Sequence, residues 1–597
     1  MPHITVGENI AQLLDLASAP VLLTLLIAAL LTGVSVPLYR SYRDRAQKMA
    51  EPEPETLSGL RVLAWILALV GIPLFAFILT AVIAIIATFD PVSLGKELRW
   101  HVLAFVGLIT SLGALISAPL ALIRVWTTER QTRISEQGHM TDRISKAVEH
   151  LGAEKTVKRD GVEESRPNIE VRIGGLLSLE RIAQDSTAYD KGRDHVRVME
   201  IICAYVRENA PARDAHDFPE PDWKPLKDDA TEEERTAHLE AREIRFGGTV
   251  KNFFAKASIW AQTLPKPRED IALAVHIIGR RTPVQKRIEA RWGPKAAADA
   301  ECVFDTPCPE LPELTEEEAP LGNTVIHAFN TDLTTWKKAL ATFKGYRPDL
   351  TNTSLQRLDL SSHDLSGCLL ARARLEGADL KETRLQGANL QEALLDAADL
   401  TGARLEAADL RQTRLEAAYL AKARMQGADL EKARLDGASL LAALLQGADL
   451  TSARLEAACL VGTRLEGADL SGARLQGASH TGARLEGAVL KEVRLEGASF
   501  TGACLERADL RGARLEGASF INVDSIQGAA LKQMSLFKGS LSEKQVTTTF
   551  GDASVTNLPG NMPRPAHWPS NELDKYDFYN EWAKWLADPD NYTPPMG

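Results

Sequence analysis

Every fifth residue from Leu355 to Phe520 is large and apolar. Thirty of these 34 centres are Leu, and the exceptions are Met425, His480, Phe500 and Phe520. Leu350 extends the series by one. Two residues before each centre the chain is small: 26 of the 34 are Ala, with Thr383, Thr413 and Thr463 among the rest. A period of five fits neither standard element. On an α-helix, steps of five turn about 140° each and scatter the leucines round the whole circumference. On a strand, an odd step sends successive leucines to opposite faces. The pattern is met if each pentapeptide forms one side of a coil and the chain turns inward again after five residues. Leu and the Ala before it then share one core. Gly377, Gly387, Gly427, Gly437, Gly467 and Gly487 sit two after a centre, where a tight turn calls for positive φ.

The words ADLKE, ANLQE, ADLTG, ADLEK, ADLTS and ADLSG within this stretch resemble the A(D/N)Lxx motif of the pentapeptide-repeat family. The resemblance implies a right-handed quadrilateral β-helix with four pentapeptides per coil. Eight and a half coils, stacked at about 4.8 Å, make a rod of roughly 40 Å. With twenty residues per coil, like stacks over like, and the outer surface carries a second period of ten. One side holds Arg374, Arg414, Arg434, Arg454, Arg474, Arg494 and Arg514. The opposite side holds Arg384, Arg404, Arg424, Arg464 and Arg484, and columns of Glu, Gln or Asp run beside both. A third side stacks Asp409, Asp429, Asp449 and Asp469. The fourth stacks Asp379, Asp399, Tyr419, Ser439, Cys459, Ser479, Ser499 and Ser519. The charged columns read first as a solvated surface, each exposed pair contributing about 0–1 kcal/mol. The row Arg384, Arg404, Arg424, Arg464 and Arg484 is the candidate interaction face for a protein partner. His480 reads as a tolerated core substitution beside the two late phenylalanines rather than as a sensor.

The opposite end of the chain has a different solvent in view. Three apolar runs, Pro20 to Tyr39, Val62 to Phe89 and His101 to Trp126, each hold the roughly 20 apolar residues that cross a bilayer core. Arg40, Arg43, Arg45, Lys48 and Arg61 lie between the first two, and Arg124 at the end of the third is followed by Arg130, Arg133 and Arg143. The positive-inside rule therefore puts the N-terminus outside and everything after Trp126 in the cytoplasm. Tyr39, Tyr42, Trp100 and Trp126 mark span ends as interfacial aromatics do.

Between the spans and the repeat the sequence predicts helices. TDRISKAVEHL (141–151) reads as a short helix, followed by a charged loop to Asn168. IEVRIGGLLSLERIA and DHVRVMEIICAYVREN repeat apolar residues at helical spacing and predict an antiparallel, HEAT- or armadillo-like hairpin. Further helical patches fall at Glu232–Phe246, at VKNFFAKASIWAQ (250–262) and at Glu269–Gly279, with a Pro- and Glu-rich linker at 292–322. Residues 324–348 are expected to cap the N-terminal end of the coil. The tail, with DKYDFYNEWAKWL, is expected to cap and dock at the other end. EVRIGGLLSLERIAQDS, DHVRVMEIICAYVRENAP and IALAVHIIGRR are similar to segments that precede the repeats in multi-pass bacterial members of the family. RPAHWP is similar to tails of alphaproteobacterial ones. The expected organisation is an external N-terminus (1–19), three transmembrane helices (20–126), a cytoplasmic helical module (127–210), a charged helical linker and cap (211–349), the pentapeptide-repeat β-helix (350–523) and a C-terminal cap (524–597). The resemblance places it in a bacterial inner membrane.

Function is read from what such a chain can present. A packed Leu/Ala interior leaves no substrate pocket. No nucleophile–base set, phosphate loop or metal motif stands out, and the six cysteines form no CxxC pair, so no enzyme activity, metal or cofactor is expected. The first reading is a membrane-anchored scaffold that binds protein partners or further copies of itself at the bilayer. The family also contains DNA mimics that bind DNA gyrase. The net charge of −11 leaves no basic footprint for nucleic acid. Residues 355–520 carry 24 Asp plus Glu against 21 Lys plus Arg, too even a balance for duplex mimicry. A transport or channel role for the spans is the third reading, and their lack of Asp and Glu speaks against it.

Overall fold

The computed structural model describes residues 78, 80, 98–159, 162–189, 192–218, 231–246, 250–312, 322–536 and 541–595. The chain divides into two compact units, Met1–Asp142 and Arg143–Gly597. The expected spans at 20–39 and 62–89 lie outside the described residues, apart from helical Ile78 and Thr80. The third, 101–126, is helical within α1 (Leu98–Leu151). Val102, Leu103, Val106, Ile109, Leu120 and Val125 of α1 are exposed. Among the described residues no helix is long and apolar enough to cross a membrane.

In the second unit, the separate short helix expected at 141–151 is the last part of α1. From Trp126 to Leu151 the chain holds no proline, and Gly138 alone does not break a helix. Ala147 and Leu151 are buried against α2 (Ile169–Tyr189) at Gly175, where a Cβ would stand 2.8 Å from the Ala147 carbonyl oxygen. The expected loop after α1 is instead a hairpin. Strand β1 (Glu154–Arg159) pairs antiparallel with β2 (Val162–Pro167), Glu154 opposite Pro167 and Arg159 opposite Val162. Its signal was Asp160-Gly161, a favoured hairpin-turn pair, standing between the two strands.

Helices α2 and α3 (His195–Asn209) form the expected pair. Helices α4 (Glu232–Phe246), α5 (Val250–Thr263) and α6 (Glu269–Gly279) fall where the sequence placed them. α7 (Pro283–Ala290) adds a turn that opens on a Thr282/Gln285 capping box. Leu176, Leu179 and Ile182 of α2, Met199, Ile202 and Val206 of α3 and Ile271, Val275 and Ile278 of α6 are buried. This module caps the coil. The Ser354 amide donates to the Ala210 carbonyl (2.7 Å) and the Ala212 amide to the Asn352 carbonyl (2.8 Å). At Gly279 any Cβ would meet His363 at 2.6 Å, so α6 ends in direct contact with the first coil.

From Asp349 the chain coils with twenty residues per turn. Residue after residue pairs in parallel with the one twenty on, from Asp349–Leu369 to Ser499–Ser519. Each pentapeptide spends its backbone donors in one way. The Leu385 amide donates to Arg404 O (2.7 Å) and Gly387 to Glu406 O (3.0 Å) in the next coil. Ala388 closes its own turn onto Leu385 O (3.0 Å), and Asn389 reaches back to Cys368 O (2.9 Å). Position two after a centre is left-handed whatever residue fills it, from Gly377 (φ 64°) to Arg357 (φ 57°) and Lys422 (φ 58°). The centres and the Ala before them are buried throughout. The inward threonines hydrogen-bond a carbonyl of the preceding coil, as Thr383 Oγ1 does Leu360 O at 2.8 Å. Such packing supplies stability in proportion to the apolar area removed from water.

After Phe520 the step lengthens by one residue, Cys504 pairing with Ser525, and coiling continues to Phe550 and Thr556. The short α9 (Glu543–Val546) lies within this last stretch, and α10 (Lys575–Ala587) follows it. Phe578, Trp582 and Trp585 of α10 bury Ala530 and Phe550 at the end of the coil.

α8 (Asn323–Ala341) is not the N-terminal cap. Its Leu340 stands at Gly387, Leu333 at Gly427 and Gly447, and Ile326 at Gly467 and Gly487. It therefore lies lengthwise on the side that holds Arg384, Arg404, Arg424, Arg464 and Arg484. Glycines on that edge let a helix approach where longer side chains would hold it off.

Candidate interaction surface

The motif's Asp or Asn has a structural task. Four of the five amides in a repeat are satisfied by backbone, and the fifth, just after the centre, is not. Asp379 accepts it from Lys381 (3.2 Å), Asn389 from Gln391 (3.0 Å) and Asp449 from Thr451 (2.9 Å). These are Asx turns. On the two arginine sides the Asp is replaced, and on the Arg374 side a carboxylate one coil earlier takes over. Asp396 accepts from the Glu416 amide (3.1 Å) and Asp436 from the Glu456 amide (3.0 Å).

On the Arg374 side that substitution accounts for the burial of Asp396 and Asp436. Glu376, Asp396, Glu416, Asp436 and Glu456 form one sunken column, and Glu406, Glu466 and Glu486 stand in the other. Here the reading of the charged columns as a solvated surface is corrected. Burial pushes Asp396 and Asp436 up to about 7, with neighbouring carboxylates adding to it and Arg414 and Arg454 pulling the other way. Arg454 donates to Asp436 at 2.6 Å, and Arg414 is bound to Asp396.

The five arginines singled out from the sequence do stack on one side, but each already meets an acid. Arg384 lies 2.9 Å from Asp305. Arg404 lies 3.3 Å from Glu406, and Arg424 pairs with both Glu406 (2.9 Å) and Glu310. Arg464 meets Glu466 at 2.9 Å, and Arg484 meets Glu486 at 2.7 Å and Glu466 at 3.3 Å. Their side chains are 18% (Arg464) to 37% (Arg404) exposed. α8 covers the neighbouring edge, and its Ile326, Phe329 and Leu333 cluster with Cys308 and Leu311.

The Arg374 side is covered as well. Ala257 and Ala261 of α5 pack on Ala397 and Ala417. Basic residues of α4 reach Glu416 and Glu456: Arg245 at 3.3 Å and His238 at 3.4 Å. Neither helix was assigned to the coil from sequence. The missed signal is the residue two after each centre. On the two covered sides it is mostly Gly or Ala, as at 377, 397, 417, 427, 437, 447, 457 and 467. On the Asp409 side it is Arg372, Glu392, Gln412 and Lys432 before turning small at Ser452 and Gly472, and on the fourth side it is small from Ala442 to Gly502, so the signal is a partial one.

The Asp409 side carries its acids interleaved with bases. Arg411 grips Asp409 through two bonds of 2.9 and 2.7 Å, and Arg511 grips Asp509 likewise at 2.7 Å. The fourth side bears no charge from Ser439 to Asn522, and there Leu441 is 45% and Ile521 63% exposed.

Among the described residues no group of three or more His, Cys, Asp or Glu could hold a metal ion. Burial pushes the thiols of Cys203 and Cys302 up to about 11 and those of Cys308, Cys368 and Cys504 to about 12, far from thiolate reactivity at neutral pH. Where the module meets the coil, burial works against the Asp364 carboxylate, yet Lys286 at 2.7 Å, the Ser366 hydroxyl and Arg384 together outweigh it and hold it down at about 2.

A family model described as pentapeptide repeats matches in eight copies over residues 359–396, 398–437, 432–467, 468–507 and 499–533. The chain belongs to the pentapeptide-repeat family. Among solved structures of such repeats it is similar to HetL, involved in heterocyst differentiation regulation in the cyanobacterium Nostoc sp. strain PCC 7120. Identity is 34%, over 32% of this chain and 91% of that one, with a TM-score of 0.24. Rfr23 of the cyanobacterium Cyanothece 51142 is 34% identical over 16% of this chain and 58% of its own, with a TM-score of 0.11. QnrB1, a plasmid-mediated fluoroquinolone resistance protein, is 18% identical over 38% of this chain and 95% of its own, with a TM-score of 0.19. No curated protein matches the chain.

Proposed function

We propose that this pentapeptide-repeat protein is a non-catalytic scaffold. The apolar runs at 20–126 anchor it in a bacterial inner membrane, and the coil stands on the cytoplasmic side as a protein-interaction module. One observation carries the reading. The interior of the coil is filled by packed Leu and Ala, while among the described residues no helix packs along the Asp409 side or along the Ser439–Ser519 stretch of the fourth. Chemistry in a pocket has no room, and recognition along a flat, regular surface does. Partner binding is assigned to the uncovered Asp409 and Ser439–Ser519 sides in preference to the row Arg384, Arg404, Arg424, Arg464 and Arg484, whose guanidiniums already meet carboxylates. A gyrase-directed DNA mimic is not favoured, because the Asp column serves its own backbone amides and alternates with Arg411, Lys491 and Arg511.

The test is crosslinking in native membranes, capture of the tagged full chain and mass spectrometry. A stoichiometric partner is expected, retained when Arg404, Arg424, Arg464 and Arg484 become Ala. It should be lost when Asp429, Leu441 and Val461 become Arg. Recovery of the protein alone would sink the partner reading, and its appearance in the soluble fraction would sink the anchor.

A further inference from the structure

α4 meets the coil through basic side chains. A helix held on a protein surface normally turns an apolar stripe toward it, as α5 does with Ala257 and Ala261 and α8 with Ile326 and Leu333. Among the described side chains of α4, the four that are partly buried are Arg235, His238, Arg242 and Arg245, while Ile244 is exposed. Those four fall at i, i+3, i+7 and i+10, which is one stripe of a helix. His238 meets Glu456 at 3.4 Å and Arg245 meets Glu416 at 3.3 Å. The Arg242 guanidinium lies against Gly477, where a Cβ would stand 3.1 Å from its Cζ. The spacing also matches: seven residues of helix rise about 10.5 Å, and two coils of the stack span about 9.6 Å.

In the column beneath, Asp436 accepts from the Glu456 amide of the next coil and pairs with Arg454, and Glu416 pairs with Arg434, so these acids keep partners on the coil when α4 leaves. A row of sunken carboxylates favours a cationic neighbour over an apolar one, so a helix seated there gains by bringing positive charge. The approach of a basic helix to an acidic column is steered by charge and therefore weakened by salt, unlike apolar association. We propose that α4 is a displaceable internal ligand: the column Glu416–Asp436–Glu456 is a docking groove for a basic helix, and α4 fills it until a protein partner presenting a helix with the same cationic stripe replaces it. This rests on the reading of the coil as an interaction module and adds the partner's chemistry and an autoinhibitory contact.

The probe is a fluorescent peptide of residues 231–246, added to the full chain in detergent. In one variant Arg235→Glu, His238→Glu, Arg242→Glu and Arg245→Glu release α4. That chain is expected to bind the peptide at least ~10-fold more tightly than the wild type does, with the affinity falling ~10-fold between about 50 and about 500 mM salt. Adding Glu416→Gln and Glu456→Gln to the released chain should abolish binding. A released chain with unchanged circular dichroism that binds no better than wild type overturns the proposal. Exchange of α4 between copies, seen as a dimer by light scattering, overturns the partner assignment. Should the variant unfold, amide exchange on the wild type decides. Exchange across 232–246 should speed up with salt while 323–341 does not, and an equal response overturns the proposal. The scaffold reading is tested separately, because membrane capture through the open sides does not involve this groove.

Discussion

His480 sits at a leucine position with no exposure, neither ring nitrogen hydrogen-bonded, stacked 4.5 Å from Phe500, which in turn stacks 4.8 Å from Phe520. Burial alone pushes its pKa down to about 3. The sign of the consequence follows from linkage. Below the ordinary value of 6.5 the unfolded chain takes up a proton that the folded chain refuses, so stability falls by about 1.4 kcal/mol per pH unit down to about pH 3. His480→Leu removes that slope and the two unpaired nitrogens. Urea denaturation should show the variant about 1–3 kcal/mol more stable at pH 7, with the gap widening by about 2 kcal/mol at pH 5. A gap that stays constant with pH would contradict the burial of a neutral imidazole. The position was legible from sequence as a break in the leucine column. The role of the motif's Asp was not, because an Asx turn looks like any surface acid until the backbone amide it serves is in place.

At the scale of elements, the sequence exposed whatever carries a strong period. The leucine repeat gave the coil, and the apolar stripes of α2, α3 and α6 gave the cap. What it hid are contacts whose two halves lie far apart in the chain. α8 has an ordinary helical pattern, and nothing within residues 323–341 says that its partners are glycines between 387 and 487. Those glycines provide the test. At Gly447 a Cβ would stand 2.7 Å from Leu333 and 2.9 Å from Asn330, while at Gly462 nothing lies within 4 Å. Both residues are left-handed, with φ of 61° and 63°, so Ala at either costs about 1–2 kcal/mol of backbone strain. Gly462→Ala should lose only that. Gly447→Ala should lose about 2 kcal/mol more as α8 is pushed off, and amide exchange should quicken in 323–341. Equal losses in thermal denaturation would mean that α8 does not pack where the glycines leave room.

For the coiled unit as a whole, the problem is its ends. A stack of coils resembles a sheet edge that any similar edge can extend, and solenoids need caps for that reason. The N-terminal end is closed by backbone pairing with Ala210 and Ala212 and by the end of α6. The other end is closed by aromatic side chains. Phe550 is fully buried under Phe578, Trp582 and Trp585; Trp582 Nε1 donates to Gly528 O at 2.8 Å, and Trp568 Nε1 to Thr549 O at 2.8 Å. Arg511 lies 5.7 Å from the Phe578 ring centre. The sequence showed that a cap was required and which aromatic helix supplied it. The single-residue slip at Ser525, which carries the coil on toward Phe550, was legible only as a loss of register. Deleting residues 574–597 exposes Phe550 and an open coil edge together, so light scattering should show end-to-end association that grows with concentration. Trp582→Ala with Trp585→Ala leaves the backbone of α10 in place but removes most of its apolar cover, and should cost about 3–5 kcal/mol for each ring. If the truncated chain stays monomeric, the open edge is protected by something other than α10, and the aromatic cap is a local packing feature rather than the device that ends the stack.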